Sequence, residues 1–247
     1  MRTIAISAIL VFQAAAQTRT EPAPLLQLIR RPGVDGSSIR RFVDTRAAVT
    51  VLGMTSVTGP SETWLIAAHD AFASIEDVDK AARSEPVDQF PADIFGVSRN
   101  LIALYRPGLS YRPDQAIRIF PKARYFHVSL YRMRPGAEAD FAELAKLRRG
   151  SFDSVNLDRP DIVYQVVSGA ASGTFLVLAP LTSLATLDDG LARAPAYAES
   201  VAKAAGKIAA ESEISRVHLL FRVEPGMSYV GDDFAAADPE FWRPKTP

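Results

Sequence analysis

Twice along this chain the same string of elements recurs, and both copies are punctuated at the same places. In the first copy, Leu25–Arg30 reads as a strand stopped by Pro32-Gly33. Ser38–Val49 follows as a helix, with Ile39, Phe42 and Val43 at helical spacing. Val51–Val57 and Glu62–Ala68 are strands around the turn Thr58-Gly59-Pro60-Ser61. Ala73–Arg83 is a second helix, Glu85–Val97 a loop, and Asn100–Tyr105 a strand closed by Pro107-Gly108. After a linker at Arg112–Lys122, the second copy begins with the strand Tyr125–Met133, stopped by Pro135-Gly136. A helix at Glu138–Arg149, a polar connection at Ser151–Pro160 and strands at Ile162–Val167 and Thr174–Leu178 follow. Leu184–Leu191 is a short helical segment, Pro195–Ser212 a strong amphipathic helix, and Arg216–Val223 the last strand.

Letters repeat as well as layout. Ser61–Ala68 (SETWLIAA) aligns with Ser172–Ala179 (SGTFLVLA), and Pro107–Tyr111 (PGLSY) with Pro225–Tyr229 (PGMSY). This order and spacing imply a tandem duplication. Each β-α-β-β-α-β unit is a split βαβ, or ferredoxin-like, arrangement. Its four antiparallel strands carry both helices on one face, so the other face needs a cover. The expected fold class is therefore α+β: two ferredoxin-like units packed sheet to sheet as an intramolecular α/β barrel. The first unit should span residues 24–112, the second 123–230, and a tail 231–247 should dock Phe234, Phe241 and Trp242 on the body. The layout resembles the dimeric α/β-barrel superfamily, with its antibiotic-biosynthesis-monooxygenase-like and NIPSNAP-like members. That resemblance implies a small cavity between the sheets. It also admits cofactor-free oxygenases, isomerases, haem-handling proteins and proteins without known activity.

The N-terminus reads differently from the rest. Met1-Arg2 is followed by a mostly apolar run to Gln13 and then Ala14-Ala15-Ala16, the pattern of a cleaved signal peptide over residues 1–16. The expectation is export to the periplasm or the extracellular space. With no cysteine in the sequence, disulfides and thiol chemistry are excluded, and stability must come from the core. The 28 basic and 28 acidic residues balance, which does not favour nucleic acid or an anionic membrane as partner. A monomer or a homodimer is compatible with the sequence.

Chemistry-bearing residues concentrate in the second unit. Phe126, Val128 and Leu130 share one face of a strand, and His127, Ser129 and Tyr131 the other. Val217, Leu219 and Phe221 match the first set, which places His218, Arg222 and Glu224 beside the polar one. The apolar set is expected to pack on the helices and the polar set to line the cavity. Antiparallel pairing then puts His127 near Arg222 or Glu224, and His218 near Tyr131. The two imidazoles come out on the order of 12 Å apart, too far to share one metal ion. His127, Tyr131 and Glu224 are candidates for catalysis: His127 as general base with Glu224 orienting the imidazole, and Tyr131 paired with His218 to polarise a carbonyl or bind a phenol. Ser129, His218 and Arg222 are candidates for binding. The alternative for all six is that they are half-buried polar groups satisfied by each other and by water.

Three functions remain open from the sequence. One is binding, with or without oxygenase-like or isomerase-like conversion, of a small apolar or aromatic molecule without a cofactor. The second is haem binding through His127 or His218. The third is a non-catalytic structural or interaction module.

Overall fold

The computed structural model describes residues 19–32, 50–84, 99–193 and 199–243. The expected signal peptide, the helix Ser38–Val49 and the loop Glu85–Val97 lie outside the described residues. The strands are β1 (Leu25–Pro32), β2 (Val51–Ser56), β3 (Glu62–His69), β4 (Arg99–Tyr105), β5 (Tyr125–Met133), β6 (Ile162–Ser168), β7 (Thr174–Leu181) and β8 (Glu213–Val223). The helices are α1 (Phe72–Ser84), α2 (Pro113–Ile119), α3 (Glu138–Ser154), α4 (Ala185–Arg193), α5 (Glu199–Ser212), α6 (Asp232–Ala236) and α7 (Pro239–Trp242). Several bounds differ from expectation: α3 runs on to Ser154, β7 to Leu181 and β1 to Pro32. The linker at Arg112–Lys122 folds as α2 plus a 3-10 turn, and β8 starts at Glu213, directly after α5. Among the described residues, no helix is long and apolar enough to cross a membrane.

Within each half the strand order is ferredoxin-like, β4-β1-β3-β2 and β8-β5-β7-β6. The halves meet along their edges as well as across the interior. β2 pairs with β8 and β4 with β6, so all eight strands close into one antiparallel barrel. Closure removes the exposed edges that two separate sheets would carry.

All eight strands send side chains into one interior cluster, among them Leu28, Met54, Trp64, Phe126, Leu176 and Phe221, none more than 1% exposed. Trp64 lies against Phe221 with ring centroids 4.3 Å apart. Fully burying each such side chain stabilises by roughly 1.5–3 kcal/mol. A separate outer cluster, Met133, Phe141, Leu144, Val163, Phe175 and Val177, joins the second sheet to α3, with Ala205 and Ile208 of α5 against it. This corrects the expected facing. Phe126 and Val128 point into the barrel rather than at the helices, and the polar set on β5 points outward, under the helical layer. Which residues share a face was as expected, although Val217 is exposed; the inside and the outside are exchanged.

Both ends of the barrel are built over. At one end α2 with its 3-10 turn and α6–α7 with the tail aromatics close it: Ala116, Ala235 and Trp242 are buried in the interior cluster, with Phe120, Phe234 and Phe241 against it. Trp242 Nε1 donates to the Pro121 carbonyl at 2.7 Å, Arg124 pairs with Asp238, and the Arg124 guanidinium lies 3.7 Å from the Phe241 ring centre. The tail aromatics dock on the body as expected. At the other end Arg30 grips Glu62 at 2.9–3.2 Å, Glu62 also accepts from Trp64 Nε1 at 2.7 Å, and the guanidinium sits 4.9 Å over the Trp64 ring.

The letter repeats fare unequally. Trp64 belongs to the interior cluster and Phe175 to the outer one, so the SETWLIAA and SGTFLVLA match does not align equivalent faces. The PGLSY and PGMSY match does hold, and it forms two reciprocal clasps. Ser110 Oγ donates to the Arg106 carbonyl (3.0 Å) and accepts from Val163 N–H of β6 (2.9 Å). Ser228 Oγ donates to the Glu224 carbonyl (2.8 Å) and accepts from Gly53 N–H of β2 (2.9 Å). Tyr111 exchanges backbone bonds with Asp161, as Tyr229 does with Val51. Leu109 packs against the outer cluster of the second half, and Met227 is part of the one in the first. Each half thus closes over its sibling with the same five-residue piece.

Candidate functional site

The outward face of β5 and β8 is where polar groups gather. Cross-strand partners in an antiparallel pair lie on one face. Ser129 pairs with His218 and with Val177, His127 with Leu220 and Ala179, and Tyr131 with Arg216 and Phe175. Val177 and Phe175 belong to the cluster under α3, which fixes the whole row as helix-facing.

The register brings the two histidines together. It is slipped by two residues from the expected one, and His127 faces Leu220 instead of Arg222. The imidazoles stack with centroids 5.5 Å apart and planes 20° from parallel, not on the order of 12 Å apart. Ser129, itself buried, holds His218 Nδ1 at 2.8 Å. Tyr131 meets His218 edge-on at 6.3 Å and packs on Phe141 of α3 at 5.2 Å. Arg216 lies 4.8 Å over the Tyr131 ring and is paired with Glu213.

The remaining two candidates stand apart from this group. Glu224 accepts from Thr55 Oγ1 at 2.7 Å and from Arg222 Nε at 2.8 Å, so its carboxylate serves the β2–β8 seam and does not orient His127. Arg222 pairs across from Tyr125 and Thr55. Four of the six candidates, His127, Ser129, Tyr131 and His218, are thus brought together.

The surroundings of both imidazoles favour the neutral form. Burial lowers the His127 pKa to about 4, helped by the charge of Arg159 and by His218 alongside. Partial burial lowers His218 as well, with Arg216 and Arg159 adding to the shift and Glu213 opposing it. A neutral imidazole has a lone pair to offer to a proton, a hydrogen-bond donor or a metal. Among the described residues no hydrogen bond ties down either nitrogen of His127, and Ser129 leaves His218 Nε2 open. No cluster of three or more His, Asp or Glu side chains able to hold a metal is present among the described residues.

Two contributors were not singled out from the sequence. Arg216 had been read only as the first residue of a strand, and its charge matters because β8 begins earlier and carries it opposite Tyr131. Arg159 sits in a polar connection with no periodicity to mark it.

No family model matches the chain, and no curated protein sequence does either. Solved structures do. An anthrone oxidase-like protein matches with a TM-score of 0.55 at 12% identity, over 83% of this chain and 93% of that one. A candidate monooxygenase from Fusobacterium nucleatum subsp. nucleatum matches with a TM-score of 0.53 at 9% identity, over 82% and 93%. A candidate chlorite dismutase matches with a TM-score of 0.50 at 13% identity, over 87% and 99%. At such identities the likeness speaks for architecture alone. The chain has the dimeric α/β-barrel fold, with both ferredoxin-like halves carried on one polypeptide.

Proposed function

We propose that the protein binds a small aromatic or apolar molecule on the outer face of its second sheet, over His127, Ser129, Tyr131 and His218. The observation behind this is the stacked, neutral histidine pair held by a buried serine in an otherwise apolar layer. Tyr131 is anchored on Phe141 of α3, while His127 is half-buried and His218 exposed, which leaves the pair within reach of a ligand. An apolar wall of Val177, Ala179 and Leu220 beside hydrogen-bonding nitrogens is the usual makeup of a small-molecule site. There, His218 Nε2 or the one unprotonated nitrogen of His127 would accept a proton from an acidic ligand C–H or O–H, the step from which oxygenase-like or isomerase-like chemistry would proceed. The anthrone oxidase-like and monooxygenase-like neighbours are consistent with such a ligand. The barrel interior, expected to be the cavity, is not where this reading places it, because large apolar side chains fill it.

The test is calorimetric titration with a panel of hydroxylated and unsubstituted aromatics. His127→Ala and Tyr131→Phe are each expected to weaken the binding of any hit by at least about tenfold, a loss of about 1.4 kcal/mol. Affinity unchanged in both variants ends the proposal. Export through residues 1–16 belongs to the same reading; N-terminal sequencing of the protein recovered from the periplasm should begin at Gln17.

A second reading is haem binding, and one observation favours it. A metal-binding histidine is generally steadied through its other nitrogen, and Ser129 does this for His218, leaving Nε2 to face an iron. Arg216 is placed to meet a propionate, and Tyr131 to flank the ring. Bound there, haem would supply one-electron and oxygen chemistry. A Soret band on mixing with haemin, lost in His218→Ala, supports this reading; its absence removes it.

A further inference from the structure

The first half holds a buried histidine that the proposed site does not use. His69 closes β3 at the corner leading into α1 and is 1% exposed. Its Nδ1 lies 3.1 Å from Ser74 Oγ, and the single hydroxyl proton of Ser74 is given to the Ala71 carbonyl at 2.7 Å. Ser74 can therefore only accept from the ring, so Nδ1 carries the hydrogen. Nε2 is left with a lone pair, buried and without a partner among the described residues. A buried acceptor in that state is unfavourable, yet it is tolerable. A second N–H there would be worse, because it would place a charge in the core with no acceptor.

Around this corner runs the leader that precedes β1. Leu25 pairs with His69 itself. Arg19 bridges to Asp70 at 2.7 Å, the Pro24 carbonyl accepts from Tyr105 N–H at 2.9 Å, and the Ala23 carbonyl accepts from Tyr164 OH at 3.2 Å. The charged groups bearing on the ring are Arg19, from the leader, and Asp70, from the corner. Asp70 is exposed and engaged with Arg19, so it offers no buried counter-charge.

We propose that His69 is an acid-operated latch: a proton taken up at its buried Nε2 releases the leader at Arg19–Pro24 and the first turn of α1 from the barrel. Above the pH at which a free histidine titrates, the closed corner carries no cost of excluding a proton. Below about 6.5 the open form binds a proton that the closed form refuses, and the open-to-closed ratio rises by up to about tenfold per pH unit. Burial, and secondarily the Arg19 charge, shift the ring in the direction this requires.

Only three histidines are present, so ring nitrogen spectra of the full chain resolve them. At pH 7.5 the His69 ring should show the Nδ1–H tautomer. Hydrogen exchange, corrected for intrinsic rate, should show amides of residues 19–26 and 70–76 losing protection between pH 7 and 5, while those of β7 and β8 hold. His69→Gln should abolish that pH dependence. An Nε2–H tautomer at neutral pH, a ring that protonates while these amides stay protected, or identical pH profiles for His69→Gln and the unaltered protein would each overturn the latch. The first two outcomes need no variant and stand even if His69→Gln does not fold.

Discussion

At the scale of single residues, the arrangement turns on imidazoles that stay uncharged. His127 has its pKa lowered to about 4 by burial, the Arg159 charge and the adjacent His218. In the unfolded chain it would titrate near 6.5. The sign follows from that difference. Stability is held above pH 6.5, and is lost progressively as pH falls toward 4, because only the unfolded chain takes up the proton there. The loss should reach about 2–3 kcal/mol for this group, allowing for its partial exposure. Denaturant titrations at pH 7.5 and 4.5 should show a smaller difference for His127→Gln than for the unaltered protein. A difference of the same size would mean that His127 is not held neutral. Residue identity was legible in the sequence: an alternating His, Ser, Tyr row on a strand is conspicuous. Its orientation was not, because alternation says which residues share a face but not which face meets the helices. Here the barrel interior, which must be filled without solvent, takes the larger apolar set, and the outer face is covered over Phe175 and Val177 but exposed at Arg216 and His218.

At the scale of elements, the two clasps join the halves. Removing a hydroxyl leaves a backbone N–H of the opposite half without its acceptor. Ser110→Ala and Ser228→Ala should each destabilise by about 1–3 kcal/mol, and a chain of this length loses about 2–4 °C in Tm per kcal/mol. Calorimetric melting checks this; variants melting within a degree of the unaltered protein would show the clasps to be incidental. Gly53→Ala should cost more than either serine, because a Cβ there would come within 2.4 Å of the Met227 carbonyl oxygen, a backbone atom that cannot swing aside. If Gly53→Ala melts no lower than Ser228→Ala, the close approach of β2 and the Met227 turn is not as described. The PGLSY and PGMSY pairing was readable as letters, and its meaning as a reciprocal closure required the topology. The helix in Arg112–Lys122 was not readable, since α2 has only seven residues and its packing on the barrel end stabilises it more than its own propensity does.

At the scale of the whole molecule, two ferredoxin-like halves share a single closed barrel whose interior is core and whose working surface, in the proposed function, is on the outside of one half. Strand order was written in the punctuation of the chain. Edge-to-edge closure was not, because pairing of β2 with β8 and of β4 with β6 joins segments far apart in sequence that carry no local mark of each other. The second half bears the His127–His218 row, whereas the first presents Gln27 and Ile29 on the corresponding strand. The measurement that bears most directly on this account is a crystal structure of the protein soaked with a mixture of small planar aromatics. Density over the His127 and His218 rings, beside Ser129 and beneath the helices, is the result predicted. Aromatics seated inside the barrel between Trp64 and Phe221, with the histidine face left bare, would contradict it.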